Sequence, residues 1–196
     1  MRFLLPLSLL FVIPFVACTS GETARAATPT GHPAPSGMES LARFRTTVGP
    51  RPVRFEGGAP SRDSLVRAVV HAVEQADAAA LSRLALSPAE FAYFYYPENP
   101  QSKPPYELQP DIMWLQMQSQ SHKGSSRLLS TYGQQPLRFH TYACDSVATV
   151  IGHIRTWGHC RVTHTGPDGK PKTTALFAAI IEREGIYKIL SYANEL

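Results

Sequence analysis

The chain has 196 residues, 43% of them hydrophobic and 17% charged, with a formal net charge of +4. That composition suits one soluble domain with a real core and some chain to spare. The charge falls to +3 once residues 1–17, whose one charged side chain is Arg2, are set aside, and this excludes the dense Lys/Arg field of a nucleic-acid binder, so no nucleic-acid partner is expected.

The stretch MRFLLPLSLLFVIPFVAC places Arg2 ahead of an apolar run from Phe3 to Ala17, interrupted by Pro6 and Pro14. The run is shorter than the roughly 20 apolar residues that cross a bilayer. It has the basic start, apolar middle and small final residue of a secretory signal, and its two prolines argue against a buried core helix. At the junction, Phe15-Val16-Ala17-Cys18 resembles the lipobox of bacterial lipoproteins, although Phe15 stands where Leu is more typical. The resemblance implies cleavage before Cys18, diacylglycerol on its thiol and acylation of the new N-terminus. Two or more acyl chains anchor a protein stably where one does not, so a membrane is an expected partner through Cys18. Thr19 in place of Asp implies the periplasmic face of the outer membrane if the source is Gram-negative. Ordinary secretion, with a cut near Ala17 or Ala27, is the alternative.

Residues 19–40 are rich in Thr, Ala, Pro, Gly and Ser and carry no apolar periodicity, which reads as a flexible tether. Arg43, Arg45, Arg51 and Arg54 follow, either as a solvated basic face or as contacts to anionic headgroups. The expected organisation is a signal peptide over 1–17, a lipidated cysteine and tether over 18–60, and an α+β domain over 61–196.

From residue 61 the apolar period becomes helical, with Leu65, Val69, Val70 and Val73 on one face and Ser61 or Asp63 as the cap. AAALSRLAL continues as a second short helix. Ser87-Pro88-Ala89-Glu90 is a helix-start signature that launches FAYFYYP. ENPQSKPPYELQP is a proline-rich loop. PDIMWLQMQSQSH returns to helix, and SSRLLSTYG adds a turn or two ending at Gly133.

After Pro136 the period becomes two. LRFHTYAC, TWGHCRVTH and the long KTTALFAAIIERE read as strands, Gly185 as a tight turn, and IYKILSYANEL as the end of the last strand. Helices first and antiparallel strands last is the α+β pattern. That order, with the closing segment LFAAIIEREGIYKILSYAN, resembles the nuclear-transport-factor-2-like superfamily, which implies helices packed in the concavity of a bent antiparallel sheet over residues 61–196. A cystatin-like fold is the alternative. The stretch 86–133 is longer and more helical than the minimal fold needs, and reads as an inserted lid.

The remaining cysteines, Cys144 and Cys160, fall at one strand end and in the next strand, and secretion favours their pairing as a disulfide. No HExxH or CxxC motif is present, and His159 and His164, if on one strand, face opposite sides, so no metal and no cofactor is expected. The cluster Tyr93, Tyr95 and Tyr96, with Trp114, His140 and Tyr142, is the candidate pocket, since tyrosine offers an apolar body and a hydroxyl to an amphipathic ligand. Enzymes of the resembled superfamily use a carboxylate base in the cone. Here Glu90, Asp111 and Asp145 have capping, helix-start and turn roles, and no Asp or Glu is expected at an inward strand position. No catalytic residue is assigned. The expected function is a membrane-anchored module that binds a small ligand or an envelope protein. A small-molecule isomerase or hydrolase and a structural envelope component are the alternatives.

Overall fold

The computed structural model describes residues 37–166 and 168–194. Cys18, the signal sequence and the first half of the expected tether lie outside the described residues. Helix α1 (Gly37–Val48) and the coil that follows belong to the folded unit, which therefore extends N-terminal to the boundary expected at residue 61. The flexible reading of 37–60 is corrected by its apolar spacing. Leu41 and Phe44 pack on an aromatic cluster, Phe44 meets Phe91 edge-on at 5.9 Å, and Phe55 is buried. The arginines there are partly packed as well: the Arg45 guanidinium lies 4.7 Å from the Tyr93 ring centroid and Arg51 lies 5.9 Å from that of Phe94, geometries favoured by the negative face of the ring.

Helix α2 (Arg62–Glu74) starts at Ser61, whose hydroxyl accepts from the Ser64 amide while Ser64 returns the bond, a capping box. Its buried face, Leu65, Val66, Val69, Val70 and Val73, meets Val162, Ile180 and Ile189 in the main core. Helix α3 (Ala78–Leu84) is capped by Asp77. Ser87 caps α4 (Pro88–Glu90) with Glu90 completing the box, and the chain then widens into a π-helical turn, Phe91–Tyr95. Pro110 opens α5 (Pro110–Tyr132) at the position where a missing N–H costs nothing. The sequence suggested two pieces here; one helix of 23 residues, about 35 Å long, runs through the polar middle because Met113, Gly124, Leu128 and Tyr132 bury along one side. Gly133 caps it with the Leu129 carbonyl, while the left-handed residue is Gln134, φ 60°.

The strands are β1 (Phe139–Ala143), β2 (Thr149–Ile151), β3 (Ile154–Trp157), β4 (Arg161–Thr165), β5 (Pro171–Thr174), β6 (Ala179–Arg183) and β7 (Ile186–Ser191). They form two antiparallel sheets, ordered β1-β4-β5 and β2-β3-β6-β7, so the architecture is α+β. Each of the two long strands read from the sequence is broken, and each break hands the chain from one sheet to the other. TWGHCRVTH bends at Gly158–Cys160, where His159 adopts φ 48°. KTTALFAAIIERE bends after Thr174, and the adjacent Leu176 and Phe177 of the bend are both buried. Strand β2 escaped the sequence reading because Thr149, Val150 and Ile151 show no alternation. Glu184 and Gly185, φ 52° and 77°, close the β6–β7 hairpin.

The free edge of β7 is covered. Ala59 exchanges both backbone hydrogen bonds with Tyr187, at 2.9 and 2.8 Å, and the Leu86 amide donates to Ile189 at 2.9 Å. Covering an edge in this way removes a template for pairing with another chain. Gly58 allows the approach, since a Cβ there would sit 2.6 Å from the Tyr187 carbonyl oxygen.

Candidate functional site

Between α3, α5 and the end of β7 lies an open cleft of about 550 Å³, within the range of small-molecule sites. Its origin is local. Ala78, Ser82 and Ala85 turn small side chains from α3 toward Ser121, Ser125 and Ser126 of α5, and two facing walls of small residues do not fill the space between them. The floor is apolar: Leu86, Leu190 and the ring of Tyr192 lie beneath. Trp114, Leu115 and Met117 line the first part of the α5 wall, and the rest carries four serines with Gln118, His122 and Leu129.

Backbone contacts hold the walls in place. Gly124 puts α5 directly on the Tyr192 carbonyl, with no room for a Cβ. The Tyr192 amide donates to the Ser121 hydroxyl at 3.1 Å and its own hydroxyl donates to the Leu81 carbonyl at 2.9 Å. Burial pushes the Tyr192 phenol far above its ordinary range, so it serves as a neutral donor. The Asn194 amide bridges the Gly124 and Leu176 carbonyls at 3.1 and 3.2 Å.

Of the six residues expected to form one pocket, only Trp114 borders this cleft. Tyr93, Tyr95, Tyr96 and Trp114 gather around Phe91 in the second core cluster, with Trp114 and Phe91 centroids 5.1 Å apart. Their hydroxyls are engaged: Tyr96 donates to the Leu108 carbonyl at 2.9 Å and Tyr93 to the Gly49 carbonyl at 3.4 Å. Burial raises the phenols of Tyr95 and Tyr96. His140 and Tyr142 sit on β1 in the other sheet, where Tyr142 packs against the main core and His140 bonds Thr165 at 2.7 Å. The expected single pocket is therefore corrected: the π-helical turn rolls Phe91 and Phe94 inward, Tyr96 is buried with them, Tyr93 and Tyr95 pack partly buried against the same cluster, and His140 and Tyr142 stand apart on β1.

The expectation of no inward acidic residue is also corrected. Glu182 on β6 is buried, accepting from the Gly185 amide at 2.6 Å. Glu90 is fully buried and pairs with Lys188 of β7 at 2.8 Å. Sequence reasoning missed Lys188, since one lysine in an apolar strand looks like its solvent face. The pair is complete: Lys188 Nζ also donates to the Glu56 carbonyl at 2.6 Å, and Glu90 accepts from the Glu56 and Ser87 amides at 2.6 and 2.7 Å. With these bonds made and no solvent access, it joins α4, β7 and the coil before α2 rather than waiting on a substrate.

Cys144 and Cys160 form a disulfide, Cα atoms 4.0 Å apart, one step beyond the Ala143–Arg161 pair of the β1–β4 ladder. His159 and Asp145 flank it and bond each other at 3.0 Å. His164 is not on a strand with His159; it is buried in β4, with Nε2 bonded to Thr174 at 3.1 Å and its ring edge-on to Tyr132. Among the described residues no three His, Cys, Asp or Glu side chains cluster as a metal site, and no described helix is long and apolar enough to cross a membrane.

Comparison with known protein families, with curated proteins and with solved structures finds no match to this chain.

Proposed function

We propose that this chain is a membrane-anchored bacterial envelope lipoprotein whose folded unit holds an apolar or amphipathic ligand in the α3–α5–β7 cleft without transforming it. The cleft carries the reading: it has an apolar floor and hydroxyls on its walls, no carboxylate among the described residues that line it, and a histidine, His122, that is exposed, so a desolvated general base is missing from its described walls. The bend of the strands at 158–160 and 175–178, with helices against them, supports a nuclear-transport-factor-2-like arrangement as the finer description of the fold. The signal-like start and Phe15-Val16-Ala17-Cys18 support the anchor.

Two measurements test the parts separately. Cys18→Ala should abolish palmitate labelling and change membrane fractionation; unchanged labelling and fractionation contradict the anchor. Native mass spectrometry of the full chain released from nanodiscs should show a retained small molecule. Ser82→Trp, which fills the cleft from an exposed position, should remove that mass without shifting the denaturation midpoint. A mass retained equally by Ser82→Trp contradicts binding in the cleft.

A further inference from the structure

The cleft changes character along its length, and the change specifies a class of ligand. Residues 114–129 of α5 run about 22 Å along it. At one end Trp114, Met117, Leu86 and Leu190 all belong to, or pack on, the second core cluster, which gives that end an apolar floor and an apolar wall. Toward the other end the walls carry Ser119, His122, Ser125 and Ser126 from α5 and Ser82 from α3, with Leu129 closing that end. Ser125 donates back to the His122 carbonyl at 3.1 Å, whereas the hydroxyls of Ser82, Ser119 and Ser126 have no partner among the described residues. None of the described lining residues is Asp, Glu, Lys or Arg.

Resting on the proposal that this cleft is a binding site, we infer that its ligand is an uncharged, single-chain amphiphile with a hydroxylated head. The chain lies against Leu86, Trp114, Met117 and Leu190, and the head lies among Ser82, Ser119 and Ser126. A hydroxylated head exchanges its hydrogen bonds with water for bonds to serines, which donate and accept equally well. A charged head meets no carboxylate, ammonium or guanidinium of opposite sign among the described lining residues, so it gains no charge-assisted bond there.

Three probes with the same chain and different heads separate the possibilities: decyl glucoside, decyl sulfate and decyltrimethylammonium. Each competes, below its critical micelle concentration, with a diazirine-bearing decyl glucoside for photolabelling of the full chain in nanodiscs, with free concentrations set against empty nanodiscs. The label is expected on peptides 85–90 and 110–132, with decyl glucoside competing at least tenfold more strongly than either charged probe. Ser126→Asp, at an exposed rim position, should weaken decyl glucoside at least fivefold and move decyltrimethylammonium ahead of it. Labelling of those peptides with decyl sulfate or decyltrimethylammonium competing as well as the glucoside overturns the uncharged head and leaves the cleft as a binding site. Labelling spread over other peptides, insensitive to all three competitors, overturns both.

Discussion

Gly124 and Lys188 show how much of this molecule is decided by single side chains. A glycine inside a helix ordinarily costs about 1 kcal/mol relative to alanine, so Gly124→Ala should stabilise α5 on propensity alone. Here the added Cβ would collide with the Tyr192 carbonyl, and backbone cannot rotate away as a side chain can. The expected net effect is a loss of about 1–3 kcal/mol, read by urea denaturation. Lys188→Met leaves Glu90 charged and unpaired in a site without solvent, a loss of about 3–5 kcal/mol; the double variant Glu90→Gln, Lys188→Met should recover part of it. His164 links folding to pH. Burial lowers its pKa below the ordinary 6.5, and its Nδ1 has no partner among the described residues. The unfolded chain therefore takes up a proton on this ring at a pH where the folded chain does not. Stability conferred by the neutral ring is present above pH 6.5 and is lost as pH falls from there through the lower folded value. Denaturation midpoints measured from pH 7.5 down to 5 should fall, and His164→Gln should flatten that fall.

At the scale of elements, the helices were legible wherever a cap met a periodic face. Ser61 and Ser87 start their helices as their flanking residues require. α1 was hidden because the segment before it is rich in Pro, Ala and Ser, although Leu41, Phe44 and Val48 have the spacing of one helix face. Apart from β2, the strands were legible as strands and illegible as sheets. Nothing in the alternation of TWGHCRVTH marks Gly158–Cys160 as the place where the chain changes partner; that depends on which neighbours, β6 or β1, lie alongside. The disulfide pins this bend to the end of β1. Its cysteines are 16 residues apart, and closing a loop of that length contributes about 3 kcal/mol by chain entropy. Reduction, or Cys144→Ser with Cys160→Ser, should lower the denaturation midpoint accordingly, with hydrogen exchange rising first in β1 and β4 rather than in α5. Of the six residues expected at a pocket, Trp114 alone borders the cleft. The cleft is made of small residues on two separate helices, and serine and alanine carry no sequence signal for a cavity.

For the whole molecule, the described residues combine a largely satisfied interior with an open cleft whose described lining carries no Asp, Glu, Lys or Arg. Ion pair, capped helices and covered β7 edge all close the structure, while α3 and α5 face each other across unfilled space. The central claim is that this space holds a ligand in the cell. A photoreactive benzoylphenylalanine at Gln118, which lines the cleft, compared with one at Val147, which is 79% exposed and outside it, tests that claim most directly. After irradiation of intact cells, mass spectrometry should find a discrete small-molecule adduct on the chain substituted at Gln118 and none on that substituted at Val147. The same adducts at both positions, or none at Gln118, would contradict a ligand-holding cleft.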